Sequence, residues 1–77
     1  MTQRISIAID DRTAAALDEL VGWCNKANKA ADGCTSHGKL TRARLLAMLA
    51  EDAGLVVSRP GSWEGAGMRA VFSSHGY

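Results

Sequence analysis

The chain has 77 residues and a formal net charge of +1, so it is long enough for one small domain, and its overall charge does not indicate a polyanionic partner. Apolar residues make up 47% of the chain, but 13 of its residues are alanine, which leaves few large side chains for a core and favours association with a second copy. No apolar run approaches the roughly 20 residues of a membrane span, and no signal peptide is expected after Met1, so we expect a cytoplasmic protein.

The first predicted element is a strand at residues 4–9, where three isoleucines alternate with smaller or polar residues. A lone strand leaves both of its edges unpaired, and no second segment of similar pattern follows. The predicted partner is therefore the same strand of a second copy, paired antiparallel by two-fold symmetry. The isoleucines would face the helices of both copies, and the outer face would carry Thr2, Arg4, Ser6 and Ala8.

Two helices are predicted after the strand. Asp10 or Asp11 is expected to cap the first, which extends to about Ala31 and is followed by a loop rich in glycine and polar residues up to Leu40. Thr41 is expected to cap the second, over residues 42–53, with Gly54 as its stop. The predicted dimer core combines the isoleucines with the apolar faces of both helices: Ile5, Ile7, Ile9, Leu17, Leu20, Val21, Leu45, Leu46 and Leu49.

The last third of the chain has a less regular pattern. Residues 55–59 are interpreted as an extended link, although a hairpin pairing them with residues 68–72 is an alternative. A third, short helix is predicted from about Ser62 to a stop at Gly76, even though Gly65 and Gly67 each disfavour it by about 1 kcal/mol relative to alanine. We divide the chain into residues 1–54, for dimerisation and DNA binding, and a C-terminal extension, residues 55–77.

Over roughly Gln3 to Ala53 the chain resembles the ribbon-helix-helix DNA-binding proteins, the MetJ-, Arc- and CopG-like repressors. The resemblance rests on four features in this order: the alternating strand of residues 4–9, the acidic cap Asp10-Asp11, the helix face of Leu17, Leu20 and Val21, and Gly38-Lys39-Leu40-Thr41-Arg42 before the second helix. It implies a mainly α fold with one N-terminal strand. It also implies an intertwined homodimer whose shared two-stranded antiparallel ribbon enters the major groove of double-stranded DNA.

By matched position, the resemblance implies that Arg4, Ser6 and Ala8 contact bases and that Thr41 and Arg42 contact phosphate. The chemistry is suitable, because arginine pairs with guanine, serine bonds several bases and alanine contacts the thymine methyl. A helix N-terminus also attracts anions, and Lys39 and Arg44 add positive charge beside it. Residues 36–45 contain these cations and no acid. The alternative for each residue is an ordinary solvated surface.

These features predict a sequence-specific DNA-binding protein, a transcriptional repressor or regulator. The interhelical loop is longer than is usual in the family, and the resemblance does not account for the C-terminal extension. Its large side chains would either pack on the dimer or bind another protein: Trp63, Met68, Phe72 and Tyr77. The second possibility predicts a protein-interaction module, such as an antitoxin or a plasmid DNA-processing accessory factor.

Catalytic and metal-binding patterns are weak. Cys34 and His37 have the spacing of one ligand pair, with Cys24 and His75 as distant candidates, but structural zinc sites usually have two tightly spaced pairs. No serine, histidine and acid arrangement stands out, and no glycine-rich phosphate loop joins a strand to a helix. We therefore predict no enzymatic activity, no metal and no cofactor.

Overall fold

A computed structural model describes residues 1–77 and contains three α-helices and no strand. The helices are α1 (Asp11–Ala30), α2 (Arg42–Ser58) and α3 (Trp63–Ser74). The chain forms two compact units, Met1–Arg42 and Ala43–Tyr77. The predicted division at Gly54 lies inside α2, and the assignment of separate roles to residues 1–54 and 55–77 stays a prediction.

The N-terminal unit contains α1, whose first turn is capped as predicted. The Asp10 carboxylate accepts a hydrogen bond from the Thr13 backbone N–H at 2.7 Å, which satisfies one of the amide groups that a helix start leaves unpaired. At the other end, the Gly33 N–H donates to the Asn28 carbonyl at 2.9 Å. Asp32 and Gly33 both have positive φ, which turns the chain out of the helix.

The predicted N-terminal strand is not present. Residues 1–10 have no regular secondary structure, and the backbone groups of residues 1–9 form no ladder with another segment. The ribbon-helix-helix fold with an N-terminal strand and a shared ribbon is therefore wrong for this chain. The physical reason is that alternation supplies only a local preference, whereas a strand is stabilised by hydrogen bonds to a neighbour that these residues do not have.

In the C-terminal unit, α2 is longer than predicted. It continues through Gly54 to Ser58, so Gly54 is not a helix stop, and both the extended link and the hairpin at residues 55–59 are wrong. The Arg59 N–H still donates to the Leu55 carbonyl at 2.8 Å, in the helical pattern. Pro60 follows immediately, and the residue before a proline is disfavoured in a helix, which explains the end of α2.

The predicted third helix is confirmed, and a tight turn leads into it. The Ser62 hydroxyl accepts from the Gly65 N–H at 3.0 Å and donates to the Arg59 carbonyl at 2.7 Å. Gly65 is buried against this turn, and the carbonyls of Arg59 and Leu55 lie beside its Cα. The helix ends before Gly76, which has a φ of +91°.

Very few large side chains are buried in the single chain. Leu40 and Leu45 are the buried hydrophobic residues, and each compact unit contains one of them. Among the nine residues predicted for the dimer core, Leu45 is buried, the other helical leucines and Val21 are half-buried, and the three isoleucines are exposed. No helix combines the length and the apolar character that crossing a bilayer requires.

Candidate nucleic-acid interface

The predicted phosphate-contacting residues surround the first turn of α2. Lys39 and Thr41 precede the helix, Arg42 is its first residue, and Arg44 lies within its first turn. All four are exposed. The predicted concentration of cations at a helix start is therefore present, because these residues are adjacent along the chain and the helix begins where the sequence indicated.

The backbone before α2 is held by a side chain of α1. The Asn25 amide donates from Nδ2 to the Leu40 carbonyl at 2.9 Å, and its Oδ1 accepts from the Leu40 N–H at 2.7 Å. Both backbone groups of a buried residue are thus satisfied by one side chain, in the way that a neighbouring strand would satisfy them. This pair closes the interhelical loop and fixes the position of residue 40.

Further along α1, Asn28 fastens the middle of the same loop. Its Oδ1 accepts a hydrogen bond from the Thr35 hydroxyl. Asp18, seven residues before Asn25, lies on the same side of the helix, because seven residues make nearly two turns. One face of α1 therefore presents a series of polar groups to the segment between α1 and α2.

Asp18 forms a two-point ion pair with Arg42. Arg42 donates from Nε to Oδ1 at 3.0 Å and from Nη2 to Oδ2 at 2.7 Å. This hydrogen bonding holds the pKa of the Asp18 carboxyl below its ordinary value and raises the pKa of the Arg42 guanidinium. Residues 36–45 lack an acid in the sequence, but the fold brings one to Arg42 from 24 residues away.

The predicted base-contacting residues lie in the N-terminal segment that has no regular secondary structure. Arg4, Ser6 and Ala8 are all exposed, and no hydrogen bond or ion pair joins them to the loop before α2. The structure therefore assembles the predicted phosphate-contacting residues at one helix start, but it does not bring the predicted base-contacting residues into contact with them.

Two residues of this region were missed by reasoning from the sequence. No role was predicted for Asp18 or Asn25 from the sequence, although each forms two hydrogen bonds with a residue far along the chain. Their spacing of seven residues was a usable signal that both lie on one face. It did not identify their partners. No group of three or more histidine, cysteine or acidic residues is arranged to hold a metal ion, and Cys24 and Cys34 are not bridged.

Comparisons with family models, with curated proteins and with solved structures found no match for this chain.

Proposed function

We propose that the chain is a cytoplasmic DNA-binding regulator that acts as a homodimer. The observation that carries the proposal is the set of exposed cations at the start of α2, Lys39, Arg42 and Arg44, on a loop fastened to α1. The start of a helix adds the positive end of the helix dipole to these side chains. Together they form a surface suited to the phosphates of the DNA backbone.

Residues 1–9 are proposed to supply sequence recognition as an extended arm. They contain Arg4 and no acidic residue, and they are exposed throughout. Extended basic arms can enter a DNA groove, where arginine and serine side chains reach base edges. This role does not need a strand, so the proposal does not depend on the predicted ribbon.

The homodimer is supported by the exposed isoleucines of the same segment. Ile5 is 84% exposed and Ile7 is 65% exposed in the single chain. Leaving such side chains in water forgoes about 1.5–3 kcal/mol of burial for each. Two buried leucines are also a small core for a chain that must offset the conformational entropy of 77 residues. Association would cover this surface.

A dilution series tests the homodimer. We expect a dimer by sedimentation at micromolar concentration and a melting temperature that falls as the protein is diluted. Ile7→Ser should weaken association, whereas Val57→Ser, which alters another exposed apolar side chain, should change it less. A monomer whose melting temperature is independent of concentration would rule out the dimer.

DNA binding is tested by selecting preferred sites from a random duplex library and then comparing variants. Arg4→Ala is expected to lose about 1–3 kcal/mol on the selected site and much less on random duplex. Arg42→Ala should weaken both and reduce the slope of log affinity against log salt, because a phosphate contact releases counterions. Arg59 lies outside residues 1–9 and outside the start of α2, so Arg59→Ala, which removes the same charge, is the control. If the protein fails to bind duplex at low salt, the proposal is wrong.

A second candidate, a protein-interaction module, is favoured by one specific observation. Trp63, at the start of α3, is 93% exposed, and Tyr77 and Val57 are also largely exposed. Tryptophan and tyrosine are the residue types that most often anchor protein interfaces. If this candidate is correct, Trp63→Ser will abolish binding of a protein partner, such as a toxin or a DNA-processing enzyme, while dimerisation and DNA binding stay unchanged.

A further inference from the structure

The ion pair between Asp18 and Arg42 has the geometry of phosphate recognition. The guanidinium donates two hydrogen bonds, from Nε and Nη2, to the two oxygens of one carboxylate, at 3.0 and 2.7 Å. Arginine uses the same edge to bind two oxygens of a phosphate. A carboxylate and a phosphate therefore cannot occupy this edge of Arg42 at the same time.

The pair is accessible enough for its partner to be exchanged. The side chain of Arg42 is 46% exposed and that of Asp18 is 57% exposed. Ion pairs in such surroundings are weak and are screened by salt, so a polyanion can compete for the cation. The backbone leading into α2 would stay in place during the exchange, because the two hydrogen bonds of Asn25 to Leu40 hold it independently of the ion pair.

We propose that Asp18 is an autoinhibitory residue that occupies Arg42 in the unbound protein and must be displaced by a DNA phosphate. This inference rests on the proposed function, because it makes Asp18 the residue that controls DNA binding at the same cationic surface. Displacement leaves the Asp18 carboxylate unpaired beside the DNA, which opposes binding to any sequence. Because the phosphate contact is independent of sequence, Asp18 would lower the affinity for specific and random duplex by a similar factor.

The test compares the affinities of four variants for a short random-sequence duplex. Asp18→Asn removes the charge that holds Arg42, and Glu19→Gln removes an equal charge from the neighbouring exposed residue. Each change is also made in an Arg42→Ala background. We expect Asp18→Asn to raise affinity about threefold or more beyond Glu19→Gln, and the difference to disappear in the Arg42→Ala background. Melting curves at fixed protein concentration verify that every variant is folded.

The outcomes separate this inference from the proposed function. If the wild-type protein binds duplex and Asp18→Asn and Glu19→Gln raise affinity equally, the effect is one of net charge, and the inference is wrong while the function stands. A loss of affinity in Asp18→Asn also overturns it, because Asp18 would then position Arg42 for DNA. A gain that persists without Arg42 overturns it as well. If no variant binds at low salt, both the inference and the proposed function are wrong.

Discussion

Replacing Gly65 by alanine is expected to destabilise the C-terminal unit, because the added methyl group has no space. A Cβ atom at this position would lie 2.5 Å from the Arg59 carbonyl oxygen and 2.9 Å from that of Leu55. It would also lie 3.0 Å from the Ser62 hydroxyl that caps α3. Two of these neighbours are backbone atoms, which cannot rotate away as the end of a flexible side chain could.

Gly67, two residues further along α3, allows the size of this effect to be isolated. A Cβ atom there meets nothing within 4 Å, and both positions are helical. Each alanine gains about 1 kcal/mol of helix propensity, so that gain cancels when the two variants are compared. The remaining difference is the cost of forcing a methyl group into a packed site, about 1–3 kcal/mol. Gly65→Ala should therefore be less stable than Gly67→Ala by that amount.

The assay is thermal unfolding followed by circular dichroism at one fixed protein concentration. In a domain of this size, 1 kcal/mol corresponds to about 4–8 °C in melting temperature. Gly67→Ala should melt above the wild-type protein and Gly65→Ala at least about 4 °C below Gly67→Ala. Equal melting temperatures for the two variants would refute the close approach between the start of α3 and the turn after α2.

Two further predictions concern the N-terminal unit. Asn25→Ala leaves both backbone groups of buried Leu40 without their partner and should lower stability by about 1–3 kcal/mol in denaturant unfolding, whereas Asn28→Ala, which loses an exposed bond, should have little effect. Asp10 has a pKa below 3.8 because its carboxylate accepts the Thr13 N–H, so its contribution to stability is present above pH 3.8 and is lost as the pH falls through the lowered pKa. The difference in melting temperature between wild type and Asp10→Ala should accordingly shrink in acid; a constant difference across the titration would contradict this assignment.

The helix starts could be predicted from the sequence because capping is a local interaction. Asp10 and Ser62 each accept the backbone N–H three residues later, so the signal and its effect lie within one turn. The apolar spacing that predicted α1 and the beginning of α2 is equally local, since it depends only on the helical repeat. The location of the exposed cations could be predicted for the same reason, because they are neighbours in the sequence of the first residues of α2.

The two wrong element predictions have different causes, one a missing distant partner and one an overestimated local penalty. The alternation of residues 4–9 indicated a strand, but a strand also needs a hydrogen-bonded neighbour, and the chain supplies none. Gly54 was interpreted as a stop because glycine weakens helices, yet the penalty of about 1 kcal/mol is small beside the further helical turn that forms before Pro60.

The sequence alone therefore determined the three helix starts and the cations beside α2, and the tertiary structure decided what those elements contact. Gly65 and Gly67 look equivalent in the sequence, and only the nearby carbonyls make the first one necessary. Likewise, Asp18 reaches Arg42 across 24 residues, so a segment without acids in the sequence has one in space. Such contacts depend on how the chain returns on itself, and the helical repeat and capping signals contain no information about that path.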